Sequence, residues 1–177
     1  VGINIVRFEG WQEYVKEIGK KVALNLSGKS GGDVIAGIGL LDLYGPTFYP
    51  SDRVGADERR TWAKAYLEAQ VADQRFRQHF AVHELEAWLL AEPAGLPGVV
   101  REALPGSSAQ PETVNFDEPP AKLLDGLYRE KLKRRYKKTT DGTNLFRGLD
   151  PEIAAEKCPQ LKALFDDMLQ LAKGAGR

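Results

Sequence analysis

The run Val34-Ile35-Ala36-Gly37-Ile38-Gly39-Leu40-Leu41 is apolar or small at every position, so an extended chain here would be apolar on both faces. A strand of that kind demands cover on both sides, which predicts a central strand of a largely parallel sheet. Asp42-Leu43-Tyr44-Gly45-Pro46 then stops it, because Gly and Pro favour turns and Pro donates nothing to a sheet ladder. The flanking segments fit the same α/β core. Ile3, Ile5, Val6 and Phe8 read as a strand ending at Glu9-Gly10, with Trp11 to Ile18 as a short helix. Trp62, Ala65, Tyr66, Ala69 and Ala72 recur at helical spacing between Asp57 and Asp73 and predict an amphipathic crossover helix. Phe76, Phe80 and Val82 predict another strand, and Glu84 to Ala91 a short helix.

At 177 residues the chain suits a single domain, with an α/β core over 1–92 and a loop and helical part over 93–177. Ser27 to Asp33 reads as a flexible loop, and Pro93 to Pro120 as mostly loop with one short helix near Val99 to Leu104. Farther on, Leu123, Leu124, Leu127 and Tyr128 share one helical face. Leu161, Leu164, Phe165, Met168 and Leu171 share another, which predicts a helical C-terminal cap. Lys plus Arg equals Asp plus Glu at 25 each, so any charge argument must be local. Cys158 is the single cysteine, which excludes an internal disulfide and a cysteine-based metal site and suits a reducing cytosol. No apolar run approaches the length that spans a bilayer, so a soluble, cytoplasmic protein is expected. The chain opens at Val1 without a methionine and enters a strand-like run almost at once, which implies further residues upstream.

Asp42 closes the predicted central strand, and ligands of open α/β sheets sit beyond the carboxyl ends of the strands. A hard cation such as Mg²⁺ takes one or two carboxylates plus substrate phosphates. The competing reading makes Asp42 a turn former before Gly45-Pro46. In His83-Glu84-Leu85-Glu86-Ala87-Trp88, Glu84 and Glu86 stand where a strand hands over to a helix. They complete a metal site if they share a crevice with Asp42. As acids at a helix N-terminus they complement its dipole, the reading that spacing alone favours. A His-Glu-x-x-His zinc pattern fails at Ala87, and His79 with His83 lacks an evident third ligand. Gly28-Lys29-Ser30 resembles the end of a phosphate loop, yet the leading glycine would fall on Ala23, so a hydrated loop fits better. Arg129, Lys131, Lys133, Arg134, Arg135, Lys137 and Lys138 form the one dense basic run, flanked by Tyr128 and Tyr136. Such a run tracks a phosphate backbone or, alternatively, forms a solvated helix end whose cations complement its dipole.

Three stretches carry a family resemblance: Leu40-Leu41-Asp42-Leu43-Tyr44-Gly45-Pro46, then Val82-His83-Glu84-Leu85-Glu86-Ala87-Trp88-Leu89-Leu90-Ala91-Glu92-Pro93, and Tyr136-Lys137-Lys138-Thr139-Thr140-Asp141-Gly142 with Cys158-Pro159 downstream. From about Gly32 onward the chain resembles the bacterial and archaeal family called the domain of unknown function numbered 4276, whose members are described as Toprim-like. That resemblance implies a small, mostly parallel Toprim-like sheet flanked by helices, with acidic residues holding Mg²⁺ or Mn²⁺. It implies Asp42, Glu84 and Glu86 as metal ligands. Glu9 joins them as a catalytic acid, since Glu9-Gly10 is similar to the Glu-Gly that follows the first strand in Toprim domains. One helix separates Glu9 from the Asp42 strand where the Toprim order implies helix, strand and helix, so Glu9 would close a second strand whose predecessor lies upstream. The usual Asp-x-Asp reads Asp42-Leu43-Tyr44 here. The function implied is a metal-dependent nuclease or related phosphodiester-processing enzyme. Nucleic acid would be held by Lys133, Arg134, Arg135, Lys137 and Lys138, with an ATPase partner in phage defence or repair. The alternatives are a non-catalytic docking subunit of an ATPase and a metal-independent nucleic-acid-binding module.

Overall fold

The computed structural model describes residues 2–27, 34–113 and 118–175. Most of the loop expected at Ser27 to Asp33, with Gly28-Lys29-Ser30, lies outside the described residues. The fold is mixed α/β, with a small two-stranded parallel sheet flanked by helices. The chain divides into two compact units: residues up to Phe80 together with those from Leu164 onward, and Ala81–Ala163.

The first unit holds α1 (Trp11–Ser27), β1 (Gly37–Asp42), α2 (Ala56–Val71) and β2 (Phe76–Ala81). Helix α1 runs nine residues beyond the expected end at Ile18 because the apolar face continues: Tyr14, Ile18 and Leu26 are all buried on it. The expected strand over Ile3 to Phe8 is corrected by the structure. Residues 2–8 belong to no strand, and Ile3 and Ile5 are 75% and 76% exposed. β-branched residues hold a strand only with an edge to pair with and a face to bury; among the described residues this segment pairs with no strand, and Phe8, edge-on to Tyr14 at 4.8 Å, is its one partly buried side chain.

The doubly covered central strand is corrected as well. Strand β1 starts at Gly37, and Ile38 and Leu40 on its outer face are each 37% exposed. Its inner face opens with two glycines, Gly37 and Gly39, before Leu41. A Cβ at Gly37 would lie 3.5 Å from the Phe76 ring, and one at Gly39 would lie 2.1 Å from the Tyr14 hydroxyl, 2.5 Å from Gln78 Oε1 and 2.9 Å from Phe76. The aromatic rings and Gln78 therefore fill the space that large side chains would take in a doubly covered strand. Gln78 is fully buried and satisfied: its Oε1 accepts from the Tyr14 hydroxyl at 2.6 Å, and its Nε2 donates to the His79 carbonyl at 2.7 Å. His79 Nε2 lies 3.0 Å from Asp167 Oδ2. Burial, aided by Lys64, holds the imidazole pKa below its ordinary value against the pull of Asp167.

Helix α2 matches its expected span closely, but its buried residues are Ala63 and Leu67, whereas Ala65, Tyr66, Ala69 and Ala72 of the expected apolar face are exposed. Glu58 accepts from the Val54 and Gly55 N–H groups at its start, and Ala72 ends it in the left-handed region at φ 52°. Trp62 and Tyr66 stack at 4.9 Å on its face, beside Phe48, which also stacks on Tyr49.

The second unit is built from α3 (Glu86–Ala91), α4 (Gly98–Arg101), α5 (Pro120–Leu132), α6 (Thr143–Gly148), α7 (Pro151–Lys157) and the start of α8 (Pro159–Ala175). Short 3₁₀ turns connect α3 to the segment before α5, as the Pro- and Gly-rich sequence leads one to expect. Leu89, Leu90, Leu96, Val100, Leu124, Leu127, Tyr128 and Tyr136 form its core. Asp150 caps α7 by accepting from Glu152 N and Ile153 N, and Glu112 accepts from Gln160 N in the first turn of α8. Cys158, between these two helices, is fully buried, and burial with Glu112 nearby pushes its thiol up to about 12. Among the described residues no helix is long and apolar enough to cross a membrane.

Two glycines should respond oppositely to a methyl group. Gly39→Ala forces its Cβ into the Tyr14–Gln78 hydrogen bond and should cost about 1–3 kcal/mol in urea unfolding. Gly126→Ala, inside α5 with open space around it, should gain roughly 0.5–1 kcal/mol.

Candidate functional site

Leaving β2, the chain passes through His83 at φ 65°, a left-handed conformation uncommon for any residue but glycine. His83 is buried in that conformation, and the turn hands the chain to α3 with Glu84 and Glu86 brought together. Glu84 Oε2 accepts from Ala121 N at the start of α5 at 3.0 Å, and its Oε1 lies 3.2 Å from Lys138 Nζ. Glu86 Oε2 lies 3.2 Å from the same nitrogen. One ammonium thus serves two carboxylates. The acids are the buried members, with 12% and 6% of their side chains exposed against 53% for Lys138. Partial burial opposes the lysine's charge, yet Glu86 and Glu84 outweigh it and hold its pKa above the ordinary value.

Lys138 opens a π-helical turn, Lys138–Gly142, a rare local geometry often found at functional sites. Tyr136 just before it is buried, with its hydroxyl beside the Glu86 carboxylate. Burial raises the phenol's pKa, and the charge of Glu86 adds to the effect. Gly142 makes room for that hydroxyl, since a Cβ there would lie 2.7 Å from it.

An open groove of about 660 Å³ runs beside this cluster. Helix α5 lines one side with Ala121, Lys122, Asp125, Gly126 and Arg129, successive positions of one helical face, and residues 135–138 line the other. Five cations, Lys122, Arg129, Arg135, Lys137 and Lys138, meet the single carboxylate of Asp125. Asp125 accepts from Tyr136 N at 3.1 Å and from Arg129 Nε at 2.9 Å, with Arg135 Nε at 3.7 Å. Burial disfavours its charge, but these donors prevail and hold its pKa low.

Of the basic residues expected to meet nucleic acid, Arg135, Lys137 and Lys138 line the groove. Arg134 is committed elsewhere: both of its terminal nitrogens donate to Asp141 at 2.9 Å, and its guanidinium lies over the Tyr128 ring. Lys133 ends α5 in the left-handed region at φ 56°. Lys122 and Arg129 also line the groove, Lys122 from outside the dense basic run. Its signal was helical spacing, seven residues before Arg129 on one face. Tyr128 and Tyr136 are buried against each other at 5.3 Å, so they build the core and offer bases no stacking surface.

The acids brought together here are Glu84 and Glu86. Asp42 belongs to the first unit, at the carboxyl end of β1; burial of the Tyr49 hydroxyl raises its pKa, and the charge of Asp42 adds to the effect. Glu9 lies in the same unit, exposed, its N–H donating to Glu13 Oε2 at 2.6 Å. Among the described residues no three His, Cys, Asp or Glu side chains gather closely enough to hold a metal ion.

The model of the family Domain of unknown function (DUF4276) matches residues 2–169. No curated protein and no solved structure matches the chain.

Asp141 is the anchor of the groove's outer wall, accepting from Arg134 twice and from Lys137 N. Asp141→Asn should lose about 1–2 kcal/mol of stability at neutral pH. Arg134 holds the folded carboxyl below its ordinary 3.8, so the wild-type advantage is present above that value and is lost as pH falls through the folded one. Urea unfolding of both proteins from neutral pH down through the carboxylate range should show the difference shrinking toward the acid end.

Proposed function

For this chain, which belongs to the DUF4276 family, we propose the binding of a nucleic-acid phosphate backbone in the groove between α5 and residues 135–138. The observation that carries this reading is the gathering of Lys122, Arg129, Arg135, Lys137 and Lys138 around one open groove in a chain whose net charge is zero. Such a concentration recruits a polyanion by releasing its counterions. Ala121 and Gly126 keep the α5 wall low, so a phosphodiester backbone has close access to the cations. Recognition is by charge and shape rather than by base stacking, because the neighbouring tyrosines are buried.

A second reading is phosphodiester cleavage with Mg²⁺ or Mn²⁺, and the observation favouring it is the Glu84–Glu86 pair against the groove wall. Two carboxylates suit a hard cation that completes its shell with phosphate oxygens and water. Bound there, the ion would supply charge stabilisation of a phosphate and an activated water. Glu84 and Glu86 would hold it, and the groove cations would steady the backbone. The Toprim-like resemblance supports this reading, as do Asp42 at a strand's carboxyl end and a parallel strand pair. The ATPase-partnered role in phage defence or repair belongs to the same resemblance.

A fluorescently labelled single-stranded oligonucleotide should bind at low salt, with log affinity falling linearly against log salt concentration. Arg135→Ala and Lys137→Ala should each reduce that slope by about 0.7, one phosphate contact's share for a single strand. Arg101→Ala, an exposed residue outside the groove, should leave it unchanged. No binding at low salt, or a slope indifferent to the groove variants, overturns the reading. Added Mg²⁺ or Mn²⁺ should allow cleavage that Glu86→Gln abolishes.

A further inference from the structure

We infer that Lys138 is an exchangeable counter-ion: it occupies the Glu84–Glu86 pair in the empty protein and yields that place to a divalent cation when a phosphate backbone enters the groove. The inference rests on the groove reading above and deepens it.

Charge balance is the first ground. Two carboxylates face one ammonium, so the cluster of Glu84, Glu86 and Lys138 retains one formal negative charge. A divalent cation would cancel both carboxylates and release Lys138 as a positive charge for a phosphate. Burial is the second ground. The carboxylates are fixed in the protein, Glu84 by its bond to Ala121 N, whereas the lysine is half exposed and also lines the groove. Its flexible four-carbon stem can carry the ammonium from the acids to a ligand without moving the backbone.

The third ground is the Tyr136 hydroxyl. It is buried beside the Glu86 carboxylate, which lies within its reach as an acceptor. Gly142 keeps the space at that hydroxyl clear. A cation on the carboxylates brings water molecules with it, and a metal-bound water would take the phenol's hydrogen bond in place of Glu86.

Exchange of this kind makes the two ligands cooperative. Each must raise the other's affinity by the same factor, because both draw on the same displacement of Lys138. At constant ionic strength, Mn²⁺ should tighten oligonucleotide binding to the wild-type protein about tenfold, within the usual range of such coupling. Glu84→Gln/Glu86→Gln should lose the Mn²⁺ enhancement of oligonucleotide binding. Lys138→Met, with no oligonucleotide present, should bind Mn²⁺ more tightly than wild type and show a larger rise in Tm. Lys138→Arg provides a second variant should Lys138→Met fail to fold. Its forked guanidinium can hold both carboxylates and resist exchange, so oligonucleotide binding should persist with a smaller Mn²⁺ effect.

An oligonucleotide that binds equally well with and without Mn²⁺ overturns the exchange while leaving the groove reading intact. So does a Lys138→Met protein with no gain in Mn²⁺ affinity. An oligonucleotide that fails to bind in every buffer overturns the groove reading and, with it, the exchange. The Mn²⁺ titration of Lys138→Met then still reports on the acid pair by itself.

Discussion

A carboxylate that is almost wholly buried must find a counter-charge, and the second unit is arranged around meeting that need for Glu86. Lys138 supplies the charge, and the same nitrogen reaches Glu84. Glu84 in turn ties the first turn of α5 through Ala121 N. Three separate stretches of chain, the start of α3, the start of α5 and the π-helical turn, are therefore fixed to one another by a single ionic cluster. Desolvation offsets much of the attraction in such a cluster, so its contribution lies in position more than in stability. Arg134 and Asp141 repeat the arrangement a turn away, and together they hold the groove wall in place.

The first unit solves a related problem without charge. Gln78 brings a polar amide into the centre of a strand, and every polar atom of that side chain is met by Tyr14 or by backbone. The solution needs space, and Gly39 provides it by having no side chain. A polar residue on one strand has thereby dictated the smallest residue on its neighbour. That is also why β1 carries its bulk outward, with Ile38 and Leu40 on the uncovered face.

Legibility in the sequence followed from how local each determinant is. The helical C-terminal half depends on apolar spacing within a few residues and was readable; α2 was readable as a helix, but the spacing pointed to a face on which Ala65, Tyr66 and Ala69 are exposed. Strand β2 was readable from Phe76 and Phe80, which are buried as their spacing requires. The apolar run before Asp42 was misleading because hydrophobicity alone does not reveal that two of the inward positions are glycines facing Tyr14 and Phe76. Ile3 to Phe8 has strand composition but no pairing partner among the described residues, and composition cannot report a partner's absence. At the site, Glu84 and Glu86 were legible from their place after a strand. The basic run was legible only in part, since counting cations does not tell Arg134, bound to Asp141 seven residues on, from Arg135, which borders the groove.

Cys158 gives the molecule a native chemical clock. A thiolate is the species that alkylating reagents attack, and this thiol is enclosed between α7 and α8 with its ionisation suppressed. In the closed fold it is buried away from such reagents. Its reaction with such a reagent therefore times the opening of the packing at the head of α8, without a label and without altering a residue. Because it is the single thiol in the chain, the signal has one origin.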